Sequence, residues 1–281
     1  MIRSDPVFPG GADSPLLKDE FQSSFDYHQD RTDQFIHWEE TMEVSRTVKV
    51  LLVFAVLSAA AAGCLFTWSS GSMQTRTETI PLEGMDKVVV ELRMGAGELS
   101  IQSGSEALME GEFRYSDSDY APVIDYTTNS GSRGELIIEQ EEITQFNLGN
   151  DYRLEWDLTF NENVLLDLYV ALGAGKSSLD LTELNLSALE LDLGAGEVEI
   201  SLGGNLSEDL TVDIQGGVGE LIVTLPDETP IRAEVTGGLG EINVEGLSRD
   251  GGAYTSQEYG TGPAIELDIE GGIGEVDLLV R

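Results

Sequence analysis

A glycine-centred turn recurs along this chain, and it limits the available folds more than any other feature. It reads Gly95-Ala96-Gly97-Glu98, Gly173-Ala174-Gly175-Lys176, Gly194-Ala195-Gly196-Glu197, Gly217-Val218-Gly219-Glu220, Gly238-Leu239-Gly240-Glu241 and Gly272-Ile273-Gly274-Glu275. From the second copy to the fifth the spacing is 21, 23 and 21 residues. A fixed period of this size points to a solenoid or a stack of hairpins. In such folds each unit is too small to bury its own apolar face and buries it against its neighbours.

The segments beside the turns alternate. Leu189, Leu191 and Leu193 are separated by Glu190 and Asp192; after the turn, Val198, Ile200 and Leu202 are separated by Glu199 and Ser201. The pattern returns at Leu210, Val212, Ile214 and Leu221, Val223, Leu225. It returns again at Ile231, Ala233, Val235 and Ile242, Val244, and at Ile265, Leu267, Ile269 and Val276, Leu278, Val280. Period-two alternation gives a strand with one face buried and one wet. The predicted class is all-β, a stacked β-hairpin or β-solenoid. Tight strand reversals at positive φ explain the glycines. The apolar residue between them is expected to point inward and plug the edge of the core.

Residues 86–170 are less regular. Val88, Val90, Leu92 and Met94 lead into the first turn, and 110–116, 122–128, 134–140, 153–160 and 164–170 also read as strands. Most aromatics lie here: Phe113, Tyr115, Tyr120, Tyr126, Phe146, Tyr152, Trp156, Phe160 and Tyr169. They either pack and cap the stack or line a groove for sugar or peptide.

Upstream, Val50–Phe66 is uncharged and follows Arg46 and Lys49, an arrangement that holds the N-terminal flank in the cytoplasm and sends the C-terminal side out. Two readings compete. A spanning helix needs about 20 apolar residues, and this run is short of that. Its second half is made of small residues, as in a signal peptide. Ala61-Ala62-Gly63-Cys64 resembles a bacterial lipoprotein signal, which implies lipidation at Cys64. Met42 opens a suitable charged leader and is read as the true start. The domains expected are a disordered or extraneous 1–41, a signal peptide at 42–63 (or an anchor to about 68) and a tether at 65–84. An N-terminal region at 85–170 and a repetitive region at 171–281 follow. Either reading of 50–66 gives an extracytoplasmic protein held to the membrane of a bacterial envelope by lipid or by a single helix.

Charge narrows the partners. The chain carries 52 acids against 15 Lys and Arg, a net charge of −37. Such a surface repels nucleic-acid phosphates and anionic lipid head groups, so no nucleic acid is expected. An envelope protein or a wall polymer remains. With one cysteine there is no internal disulfide.

Little in the chain supports catalysis. Gly95-Ala96-Gly97 lacks the third glycine and following helix of a dinucleotide loop. The segment GGVGELIV lacks the aspartate of a calcium-binding nonapeptide, having Leu221 at that place. After Cys64 there is no histidine, and only Lys87 and Lys176 could serve a Ser–Lys dyad. The expectation is no enzyme, no cofactor and no firm metal site. One cation hypothesis survives: Glu98, Glu197, Glu220, Glu241 and Glu275 share a register and would form a ladder that a divalent ion relieves. Lys176 interrupts it and can pair with a neighbouring glutamate.

The runs MGAGELSI at 94–101 and LMEGEFRY at 108–115, with Trp156–Glu199, resemble the N-terminal toast-rack domain family. The later GGVGE, GGLGE and GGIGE units are similar to the wider set of bacterial adhesin-like and cell-wall-active antibiotic response domains. The resemblance spans about 85–281 and implies a stacked β architecture in exported or tethered proteins. Three functions follow as expectations: a non-catalytic surface for interaction, a sensor of envelope stress, or a divalent-cation-binding surface.

Overall fold

The computed structural model describes residues 73–129, 131–140, 152–204 and 206–281. The readings of 1–66, with Met42 and Cys64, and of Phe146 lie outside the described residues. Among the described residues no helix is long and apolar enough to cross a membrane.

The chain forms β1 (Gln74–Ile80), β2 (Lys87–Ser103), β3 (Met109–Tyr115), β4 (Pro122–Thr128), β5 (Arg133–Gln140) and β6 (Leu154–Phe160). Then follow β7 (Leu165–Leu181), β8 (Leu186–Leu202), β9 (Leu210–Gln215), β10 (Val218–Leu225), β11 (Ile231–Thr236) and β12 (Leu239–Glu245). The last are β13 (Ser248–Asp250), β14 (Ala253–Thr255), β15 (Ile265–Glu270) and β16 (Ile273–Val280). Residues 74–80, expected within the tether, are instead β1, paired antiparallel with β3.

The fold is an all-β solenoid of two layers. Strands β2, β7 and β8 are each 17 residues long and pass through their glycine turns without a break. Before the turn β2 pairs with β5 and β7; after it, with β6 and β7. The first layer runs β4-β5-β2-β7-β8-β9-β15-β11-β14-β13 and the second β1-β3-β6-β2-β7-β8-β10-β16-β12. The middle pairings are parallel, and the antiparallel pairs lie towards the ends. Buried positions change parity across each turn: Val88, Val90 and Leu92, then Leu99 and Ile101; Leu189 and Leu191, then Val198 and Ile200; Val212 and Ile214, then Leu221 and Val223. The two inward faces make one core.

The turns are therefore corners between layers, not the reversals expected. Flanking strands such as β9 and β10 pair with other rungs and not with each other. Glycine is needed because corners stack backbone on backbone. A Cβ on Gly196, at φ +149, would lie 1.7 Å from the carbonyl oxygen of Gly175. That distance is far inside van der Waals contact, so any side chain is excluded. The glycines fill the inside of the corner, and the residue between them is left outside. Val218 and Ile273 are each 55% exposed and Leu239 is 74% exposed, which corrects the expected inward plug.

The rungs do not stack in chain order. β15 lies between β9 and β11, and β16 between β10 and β12. The last rung is thus inserted between the fourth and the fifth. The hairpin β13–β14 covers β11 antiparallel, and the chain then returns to the gap. The C-terminus is tied in by Arg281 N–H donating to Leu225 O and Asp227 N–H donating to Arg281 O, both at 3.0 Å.

Candidate interaction surface

Each corner places its fourth residue on the wet face of the second layer. The register gives one continuous row, Glu98–Lys176–Glu197–Glu220–Glu275–Glu241. All five glutamates singled out from the sequence are in it, with Glu275 and Glu241 exchanged relative to chain order. Neighbouring strands lie about 4.8 Å apart, so four carboxylates in succession run along the row. Lys176 Nζ donates to Glu197 Oε2 at 3.1 Å, the pairing its interruption of the series suggested. Asn243 Nδ2 donates to Glu275 Oε1 at 3.2 Å and to Asp277 Oδ1 at 2.9 Å. Among the described residues no three or more metal-ligating side chains converge on one point. The carboxylates stand in file and enclose nothing.

A second acidic row, on the first layer, was missed. Glu91, Tyr169, Glu190, Asp213, Asp268 and Glu234 stand in register on β2, β7, β8, β9, β15 and β11. Burial, with Asp192, Asp213 and Glu91 nearby, pushes the Glu190 carboxyl up to about 6. Burial raises Asp192, and burial with Asp268 and Glu270 raises Asp213. Burial beside Asp167, Glu190 and Glu91 pushes the Tyr169 phenol up to about 12. The sequence signal was present in the polar members of the alternating strands. Which of them would align across rungs depends on register, which a single strand does not reveal.

Between the rows runs the corner itself. Its outward residues in stacking order are Ala96, Ala174, Ala195, Val218, Ile273 and Leu239. The ridge grows larger and more apolar towards β12. The space under the corners is about 60 Å³, too small for a ligand beyond a few atoms.

Among the described residues the largest aromatics pack in the core. Trp156, Phe113 and Phe160 are fully buried, and Phe113 meets Trp156 edge-on at 5.7 Å. Tyr120 and Tyr152 meet edge-on at 4.9 Å. The Ser–Lys pairing considered for Lys87 does exist in space: Lys87 Nζ lies 3.1 Å from Ser187 Oγ. It also lies 2.8 Å from the Asp167 carboxylate, which Ser187 bonds as well. The three side chains tie β2, β7 and β8 together, a structural role. The other large cation cluster is structural too. Arg114 donates to Glu112 at 2.6 Å, Glu155 at 2.8 Å and Asp157 at 2.5 Å, tying β3 to β6.

A solved structure from Clostridium sporogenes ATCC 15579, described as a "putative cell adhesion protein", is 31% identical with a TM-score of 0.70. The match covers 75% of this chain and 100% of that one. A "putative adhesin" from Bacteroides fragilis NCTC 9343 is 11% identical over 74% of this chain and 97% of its own, with a TM-score of 0.22. A "putative lipid binding protein" from Parabacteroides distasonis ATCC 8503 is 12% identical over 73% and 97%, also with a TM-score of 0.22. No curated protein matches significantly. The family model for the N-terminal domain of toast_rack, DUF2154, matches residues 69–224, the stretch from before β1 to within β10. With the corner ladder, the two layers and this match together, the chain belongs to the toast-rack N-terminal domain family.

Proposed function

We propose that this chain is a non-catalytic, exported envelope protein whose solenoid is an interaction surface, held at the membrane through lipid on Cys64 or a single helix at 50–66. The observation that carries the reading is the likeness to the Clostridium sporogenes structure, which spans all of that chain at 31% identity and is described in terms of cell adhesion. The two acidic rows support it, because they are presented along the flat flanks of a rigid stack and not gathered in a cleft. Surfaces of this kind recognise extended or repetitive partners, such as an envelope protein or a wall polymer.

The test is retention of the purified full-length chain on cell walls and envelope membranes isolated from a bacterial host. A variant with Glu197, Glu220, Glu241 and Glu275 all changed to Gln serves as comparison. Retention by the native chain and its loss in the variant are expected. Equal retention by both, or a reproducible hydrolysis of wall polymer, would overturn the proposal. Intact mass after membrane extraction, beside Cys64→Ser, separates the lipid anchor from the helix.

A further inference from the structure

The two ends of the corner ladder are finished differently. At the β2 end, Gly95 N–H donates to Gln140 Oε1 at 2.9 Å, and the Tyr152 hydroxyl donates to Ala96 O at 2.6 Å. Side chains there replace the missing next rung. At the far end the first layer is closed by β14 and β13. The second layer is not. Among the described residues β12 pairs with β16 alone. The N–H and C=O groups that alternate away from β16 meet no further strand.

The core is open at the same place. Ile242 stands in register with Val276, Leu221 and Val198, each of which is buried to 8% exposure or less. Ile242 is 37% exposed, and Leu239 beside it is 74% exposed. Sheet edges are ordinarily blunted by proline, by charge or by shortness. β4 begins at Pro122, β1 carries charge of both signs at Arg76 and Glu78, and β13 has three residues, whereas the charges of β12, Glu241 and Glu245, are of one sign. β12 is seven residues long, packs Val244 against the core and holds Ile242 in register with the buried Val276.

The side chains on β12 define what would fit. A strand added there needs apolar residues on one face to cover Ile242 and Val244. On its other face it would run beside Glu241 and Glu245, both exposed, with Glu275 and Asp277 one strand further in. Asn243 is already committed to Glu275 and Asp277. A second copy of this chain would bring another net charge of −37 to the same edge, like against like. We propose that β12 is the docking edge for an extended segment of a partner protein in which apolar and basic residues alternate, added as the next strand of the second layer. This rests on the interaction-surface reading and gives it a place and a partner chemistry.

The probe is an octapeptide of alternating lysine and valine, labelled at one end. It is titrated onto the full-length chain in mild detergent at about 50 mM salt, where screening is weak. The same peptide N-methylated at every residue keeps its charge and loses the amides that pair in either strand direction. Binding to the native chain is expected, weakened about tenfold or more by the double change Glu241→Lys and Glu245→Lys, and similarly by N-methylation. Both changed positions are exposed, so the fold, read by circular dichroism, stays intact. Absence of binding would overturn the proposal. Equal binding by the methylated peptide or the variant would do the same, since it would show diffuse attraction to an acidic surface. A dimer of the native chain without peptide, dispersed by Ile242→Lys, would assign the edge to a second copy instead. If peptide binding fails while retention on envelope material persists, only the β12 assignment falls. If retention fails while the peptide binds, only the broader reading does.

Discussion

Gly274 rests on Gly219 so closely that a Cβ on the first would lie 1.8 Å from the carbonyl oxygen of the second. Gly274 also holds φ at +149. Gly274→Ala therefore meets a steric clash with backbone and an unfavourable dihedral together. We expect a loss of about 3 kcal/mol or more in urea unfolding. Gly262, with nothing within 4 Å of a Cβ, is the comparison. Gly262→Ala should change stability by less than about 0.5 kcal/mol.

Deleting 265–281 should remove more than one rung. Without β15 and β16, both partners of β11 and β12 in the parallel stack are gone. Hydrogen exchange should then show 231–245 unprotected as well, while β2, β7 and β8 keep their protection. A stack in chain order would lose only its terminal strands, so protection persisting at 231–245 would contradict the inserted arrangement.

Arg114 neutralises three carboxylates at the β3–β6 pairing, and hydrogen bonding to Glu155 raises its pKa further. Its side chain is 35% exposed, so solvent screens much of the interaction. Arg114→Met leaves Glu112, Glu155 and Asp157 facing one another. The expected cost is about 1 kcal/mol at low salt, largely recovered at about 1 M salt. A cost that does not change with salt would assign the effect to packing.

Glu190 gives a pH dependence of unusual sign. Its folded pKa, near 6, lies above its ordinary value of 4.5. Between those values the folded state binds more protons than the unfolded one, so this group favours folding more as pH falls from about 6 to 4.5. Above pH 6 the buried charge is a net cost. Glu190→Gln should raise stability at pH 7, by about 1 kcal/mol after allowance for partial exposure. It should leave stability at pH 4.5 nearly unchanged. Urea midpoints at the two pH values check it.

The space beside Ser177 invites filling. Ser177 is 4% exposed and borders the space of about 60 Å³ under the corners. Its neighbours in register are Leu99 and Val198. Ser177→Val should stabilise the chain by about 1 kcal/mol, measured by thermal unfolding.

The layered architecture was legible because the alternation is strong. Val198, Ile200 and Leu202 could face only one way, and the repeated glycines marked where each strand changes direction. The exposed placing of Val218, Leu239 and Ile273 was not legible. An apolar residue between two glycines carries no mark of which side of a corner it takes. The exchange of the last two rungs was hidden for a related reason. Gly237-Gly238 and Gly271-Gly272 are equivalent in local sequence, so either could follow Gly217. The one trace is the spacing, which widens to 34 residues between Gly238 and Gly272 and leaves room for β13, β14 and the return. The row of corner glutamates inherits that exchange, so that Glu275 stands between Glu220 and Glu241.

The insertion of β15 and β16 also sets a timetable. Repeat proteins with rungs in chain order can zip up from one end as they emerge. Here Ile231–Glu245 is made before the strands that will lie between it and the rest of the stack. Residues 265–281 are made after that segment and complete two unfinished layers at once. Until they do, β9 and β10 have an open edge, and the preceding segment has nothing parallel to join. Residues 265–281 therefore act as a latch: the stack beyond β9 and β10 cannot close until they have been made.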